Sequence, residues 1–85
     1  MAWKLSWSTG AASFMSKLDQ AEARRISDKL ESTLENPLRF FKRLAGEEDY
    51  KLRIGDYRAL ALLLHGEQTV FIEKVDHRKR VYKSI

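Results

Sequence analysis

Apolar and polar residues alternate at the start of the chain, with Trp3, Leu5 and Trp7 set against Lys4 and Ser6. That is the two-residue period of a half-buried strand. The period then changes. Ala11, Phe14, Met15 and Leu18 fall at helical spacing, with Ser8 or Thr9 placed to cap the helix. Asp19 followed by Glu22 resembles a capping box, and Ala23, Ile26, Leu30 and Leu34 mark one face of a longer helix. Asn36-Pro37 should end it, because the residue before proline disfavours helical backbone. Arg24, Arg25, Lys29, Glu31 and Glu35 read as its solvated face. Residues 38–49 read as a connector with one helical turn through Leu38 to Leu44. Within it, Phe40, Phe41 and Leu44 would tuck under a sheet edge, although adjacent aromatics also suit a docking site. Solvent exposure is enough to account for the acidic turn Gly46-Glu47-Glu48-Asp49.

From Tyr50 the two-residue period returns. Tyr50 to Ile54 and Tyr57 onward read as paired strands joined by the loop Gly55-Asp56, which sets Ile54 opposite Tyr57 and Arg53 opposite Arg58. Directly opposed residues share a face of the sheet. Lys51, Arg53 and Arg58 therefore converge on one side, and Tyr50, Leu52, Ile54, Tyr57, Ala59 and Ala61 on the other. The run from Ala59 to Leu64 is apolar on both faces and belongs in the middle of the sheet. His65-Gly66-Glu67 turns the chain, Thr69 to Val75 forms another strand, and a basic segment runs from Asp76 to Ile85. The expected architecture is a single α+β domain over residues 1–85. An N-terminal strand and a two-helix hairpin precede a three-stranded antiparallel meander, giving one mainly antiparallel sheet with helices on one face.

Composition narrows the function. With 85 residues, 44% hydrophobic and 33% charged, the chain reads as a small globular domain with a limited core. It has no cysteine and hence no disulfide or thiolate chemistry, no apolar run of membrane-spanning length, and no signal-like N-terminus. A cytoplasmic location without membrane association is the expectation. Residues 1–49 carry eight Lys/Arg against eight Asp/Glu, whereas residues 50–85 carry eight against four, so the whole net charge of +4 lies in the second half. Such a half suits a phosphate partner, although a solvated basic surface has the same composition.

Two arginines opposed across a ladder repel each other, which stability alone would not favour. A polyanion to be held explains them better. If the last strand returns beside the central one, Arg78, Arg80 and Tyr82 arrive near Lys51, Arg53 and Arg58. Such a group suits phosphodiester transesterification in RNA, in which the ribose 2′-oxygen attacks the adjacent phosphorus and the 5′-oxygen leaves. Guanidinium forks match the phosphate, and a lysine among cations can serve as acid or base. Tyr82 could transfer a proton or stack on a base. His77, between Asp76 and Arg78, could assist proton transfer or simply form a local ion pair. His65 and His77 lack the spacing and carboxylate neighbours of a metal site, so no metal or cofactor is expected.

Lys51-Leu52-Arg53-Ile54-Gly55-Asp56-Tyr57-Arg58, followed by His77-Arg78-Lys79-Arg80-Val81-Tyr82 and preceded by Pro37 and Leu44-Ala45-Gly46, resembles the RelE family of toxin–antitoxin ribonucleases. The resemblance covers essentially the whole chain. It implies a compact α+β toxin that cuts messenger RNA in the ribosomal A site without metal, inhibiting translation. It also implies a cognate RelB-like antitoxin, with the toxin–antitoxin complex binding operator DNA. By the same resemblance, Lys51 and Arg53 would act in proton transfer and transition-state stabilisation. Arg58 and Arg78 would hold the scissile phosphate, and Tyr82 would orient or activate the ribose. Arg80, His77 and Lys79 would contact RNA. Two departures stand out. Asp76 occupies a position where many members have glycine, and its charge could pair with Arg78. The chain also ends three residues after Tyr82, where some members carry a further helix. Two other readings share the fold: a ParE-like toxin that inhibits DNA gyrase, and a catalytically inactive RNA- or operator-binding module.

Overall fold

The structure, a computed structural model, describes residues 2–43 and 45–77. The first strand, β1 (Lys4–Trp7), leads into helices α1 (Thr9–Ser16), α2 (Gln20–Ser32) and the short α3 (Pro37–Phe40). Strands β2 (Tyr50–Ile54), β3 (Tyr57–Leu64) and β4 (Thr69–His77) follow. They form one four-stranded sheet in the order β1-β4-β3-β2, antiparallel except that β1 runs parallel to β4. The α+β expectation holds, and the apolar run of β3 does lie between two neighbours. Among the described residues no helix is long and apolar enough to cross a membrane.

The core forms between the helices and one face of this sheet. Leu52, Ile54, Tyr57, Ala59, Ala61, Leu63, Val70, Ile72 and Val75 are buried with Ala11 of α1, Ile26 and Leu30 of α2, and Phe41. Leu5 and Trp7 of β1 pair in register with Val70 and Ile72 and pack against the same core. A single face is thus apolar over four strands, so the register of each strand is strongly specified.

Ser8 joins helix and sheet. Its hydroxyl accepts from the Ala11 amide (3.0 Å) and donates to the Glu73 carbonyl (2.7 Å), while its own amide donates to the Ile72 carbonyl (2.8 Å). Ser8, not Thr9, is therefore the cap. The Glu73 carbonyl is available because β4 bulges there. Leu60 pairs with Lys74 and Ala61 with Ile72, which leaves Glu73 as the extra residue.

Three local expectations are corrected. Asp19 stands at the start of α2 but makes no side-chain capping bond, and Glu22 turns towards Arg25 (3.5 Å) and the Tyr57 hydroxyl rather than back to the start of the helix. The helix ends at Ser32, before Asn36-Pro37; Thr33 sits in a closing turn with its buried hydroxyl donating to the Leu30 carbonyl at 2.7 Å. The connector's helical turn is Pro37–Phe40 rather than Leu38 to Leu44, because proline is well suited to a first helical position. Phe41 is buried as expected, and Leu44 lies outside the described residues.

Replacing Ser8 by alanine should lower the stability of the fold by about 1–2 kcal/mol, since a cap and a tie to the sheet are lost together. Denaturant unfolding of the Ser8→Ala variant measures this, and an unchanged midpoint would refute the role given to the hydroxyl.

Candidate functional site

The turn at Gly55-Asp56 fixes the site. Gly55 has φ +58° and Asp56 has no positive φ, which is the pattern of a type II′ turn with glycine at its first central position. The Arg25 guanidinium of α2 lies over Gly55 where a Cβ would stand. Arg25 is exposed, as a solvated-face residue should be, with the end of its side chain reaching over the turn. Ile54 opposes Tyr57 and Arg53 opposes Arg58, as the hairpin pattern requires.

Lys42 pairs with Lys51 on the outer edge of β2, the amide of each donating to the carbonyl of the other at 2.9 and 2.7 Å. The backbone groups of Lys51 therefore face away from β3, and by alternation so do those of Arg53. Arg53 and Arg58 consequently form a non-hydrogen-bonded pair, the kind in which side chains stand closer together. Lys51, Arg53 and Arg58 all project from the face opposite the helices, with Leu60, Lys74 and Asp76 beside them in register.

The cations on this face are partly compensated. Glu47 Oε1 lies 3.3 Å from Lys51 Nζ. Asp76 Oδ2 lies 3.9 Å from Arg58 Nη2 and 3.7 Å from Lys74 Nζ. Arg53 is exposed and has no ion pair among the described residues. Arg58 Nε is buried without a hydrogen-bond partner among the described residues. The acidic turn is therefore engaged with the site rather than simply solvated, and Asp76 pairs with Arg58 and Lys74. Its expected partner, Arg78, lies outside the described residues, as do Lys79, Arg80 and Tyr82.

Near this face Glu73 and Asp49 share a hydrogen bond. That bond, followed by burial and by the charges of Asp49 and Glu48, raises the Glu73 carboxyl above the ordinary glutamate range. Neither this pair nor the Asp76 bridge was legible in sequence, because both depend on the register of β4 and on its bulge.

His77 is placed differently from the cations. It opposes Tyr57 in register and meets its ring edge-on at 5.0 Å, on the helix side of the sheet. With Phe14, Lys17, Leu18 and Tyr57 it lines a cleft of about 300 Å³. Burial, and then the nearby Glu22 carboxylate, holds the Tyr57 phenol above the usual tyrosine range. His65 packs edge-on against Trp3 at 5.3 Å. Among the described residues no group of three His, Asp or Glu side chains is arranged to hold a metal.

Residues 5–82 match the family model described as the ParE toxin of type II toxin–antitoxin systems, parDE. The chain belongs to this toxin family. Members of the RelE branch resemble it in structure. The toxin–antitoxin complex RelBE2 from Mycobacterium tuberculosis contains a chain that is 27% identical, with a TM-score of 0.82 over 92% of this chain and 93% of that one. The isolated E. coli RelE toxin is 25% identical, with a TM-score of 0.77 over 98% and 94%. A chain of the intact E. coli RelBE complex is 26% identical, with a TM-score of 0.71 over 87% and 94%. No curated protein matches the chain. It is thus a type II toxin of the RelE/ParE superfamily, and its helix-free sheet face carries the cations.

The raised Glu73 carboxyl has a defined consequence for this toxin. A proton bound more tightly in the folded state adds stability that is full below the ordinary glutamate pKa and is lost as pH rises through the raised folded value. Thermal midpoints compared between about pH 4 and 7 should show the wild type losing ground to Glu73→Gln as pH rises. A constant difference between the two proteins would remove the carboxylate pair.

Proposed function

We propose that this toxin is an endoribonuclease that cuts messenger RNA on the ribosome by metal-independent transesterification, and that a cognate RelB-like antitoxin silences it. What supports this reading most is the convergence of Lys51, Arg53 and Arg58 on the sheet face that the helices leave uncovered. In the reaction the ribose 2′-oxygen forms a bond to phosphorus as the bond to the 5′-oxygen breaks. A proton leaves the 2′-hydroxyl and another reaches the departing 5′-oxygen. The products are a 2′,3′-cyclic phosphate and a 5′-hydroxyl.

Arg58 and Arg53 supply guanidinium donors for the charge that builds on the phosphate oxygens. Lys51 supplies an ammonium on the same face, suited to protonating the leaving oxygen. Arg78 completes the hold on the phosphate and Tyr82 orients the ribose, with Arg80 and Lys79 as further RNA contacts. His77 directly precedes them in sequence and stands on the helix side of the sheet, opposite Tyr57, away from Lys51, Arg53 and Arg58. The solved RelE structures include toxin–antitoxin complexes, which supports an antitoxin partner here.

A second reading, inhibition of DNA gyrase, is favoured by the family description itself, which names ParE. It gives the opposed arginines no task, and we rank it second.

Induced expression should arrest growth and leave transcripts with new 5′ ends inside codons, read by end mapping. Arg58→Ala should slow cleavage by about a hundredfold or more while the far-ultraviolet circular dichroism spectrum stays native. Arrest with intact transcripts, together with lost supercoiling in a purified gyrase reaction, would replace this reading by the second.

A further inference from the structure

Arg58 sits in a cross-sheet row of three charged residues on the exposed face, with Arg53 opposite it on β2 and Asp76 opposite it on β4. The row reads cation, cation, anion. Lys74, two positions before Asp76 and on the same face, reaches the same carboxylate oxygen, so Asp76 Oδ2 bridges two cations at 3.9 and 3.7 Å. Both distances exceed those of good hydrogen bonds, so the attraction is Coulombic and the guanidinium donors stay uncommitted. The Nε of Arg58 is buried. Its Nη2 is the atom turned to Asp76, leaving that end of the fork to meet any incoming anion.

We propose that Asp76 is an internal counter-anion that competes with the RNA phosphate for Arg58, setting a threshold against weakly held RNA. This rests on the reading of the cationic face as the RNA site. Two physical consequences define the device. In the free toxin the carboxylate relieves the repulsion between Arg53 and Arg58, holding a cation pair that would otherwise splay. On binding, a phosphate at the Nη end of Arg58 lies close to a like charge and gains less than an unopposed arginine would give. A phosphate met by a cation already paired from within is neutralised less completely, so fewer of the cations condensed on the strand are released. A short strand with few other contacts is penalised most. A strand held along its length by a larger assembly overcomes the same fixed cost.

The test is binding of a short fluorescein-labelled single-stranded RNA of mixed sequence to the full chain, by anisotropy, from about 50 to 200 mM salt. Wild type, Asp76→Asn, Arg58→Ala and the double variant are compared, each checked for fold by circular dichroism and thermal midpoint. Asp76→Asn should bind several-fold to about ten-fold tighter at low salt. Its log–log salt slope should be steeper by about 0.7, the value of one additional phosphate contact on a single strand. Both gains should vanish in the Arg58→Ala background. Unchanged or weaker binding by folded Asp76→Asn overturns the proposal, as does a gain that persists without Arg58. If Asn at this position unfolds the sheet, Asp76→Ser takes its place. Should both unfold, Asp76 is a structural anchor and the proposal is overturned. Binding untouched by Arg58→Ala removes the RNA-face reading as well, which distinguishes that failure from failure of the counter-anion alone.

Discussion

The loop of two residues at Gly55 and Asp56 is the constraint through which sequence acquires chemistry in this molecule. Side chains alternate across a sheet with a period of two, so a slip of one residue would turn every side chain of β2 over. Leu52 and Ile54 would then face water and Lys51 and Arg53 the helices. Burial of Leu52, Ile54, Tyr57 and Ala59 forbids that, and a left-handed glycine under the Arg25 guanidinium closes the hairpin in the one register that satisfies them. The hydrophobic face thus aims the cationic one. No residue of the cluster has to be favourable on its own account, because apolar burial on the other side of the same strands dictates where it stands.

A cluster placed this way carries a cost, which the fold meets with carboxylates rather than with distance. Glu47 serves Lys51 and Asp76 serves Arg58 and Lys74. These are partly exposed pairs, each of which contributes at most about 1 kcal/mol. That weakness suits the task. A strong, buried, fully hydrogen-bonded pair would lock the guanidinium, whereas a loose Coulombic partner steadies it and gives way to a better anion. The Glu73–Asp49 pair works in the opposite sense, since two carboxyl groups brought together disfavour the charged form and raise the Glu73 carboxyl above its ordinary range. Partly compensated cations and a nearby carboxyl pair are thus arranged by the register of three antiparallel strands.

How much of this was legible in the sequence depends on whether a feature is local. The hairpin was legible because its register follows from Gly55-Asp56 and from alternation on either side, so Arg53 and Arg58 could be set opposite each other before any coordinates. The helical stretches were legible from their apolar spacing, but their ends were not. Asp19 and Glu22 match a capping pattern, yet Glu22 is drawn to Arg25 and Tyr57, a tertiary preference invisible to a local motif. The cross-ladder partner of Asp76 was not legible for a related reason. Adjacency along the chain draws attention to Arg78, which lies outside the described residues, whereas Arg58 is brought beside Asp76 across the ladder and Lys74 shares its face two positions back. The bulge at Glu73 left no sequence signal, because Ser8, which holds its carbonyl, comes from 65 residues away.

Family and fold leave the choice of target open, because the matching family model is named for ParE while the solved structures resembling the chain include RelE toxins. One scaffold carrying different activities is common, and the discriminating information lies in the side chains on its exposed surface. Here the β-strands hold that information at fixed positions. A surface that only docked another protein would gain from apolar area and mixed charge, and would not need two guanidinium groups set side by side against their own repulsion. Opposing Arg53 to Arg58 becomes favourable only when a charge of the other sign lies between or above them. Asp76 partly provides that charge from within, and under the proposed nuclease reading a phosphodiester provides it from outside. The same row of three residues thus offsets its own repulsion on the empty face, and under that reading an RNA phosphate takes the place of Asp76 at the same guanidinium.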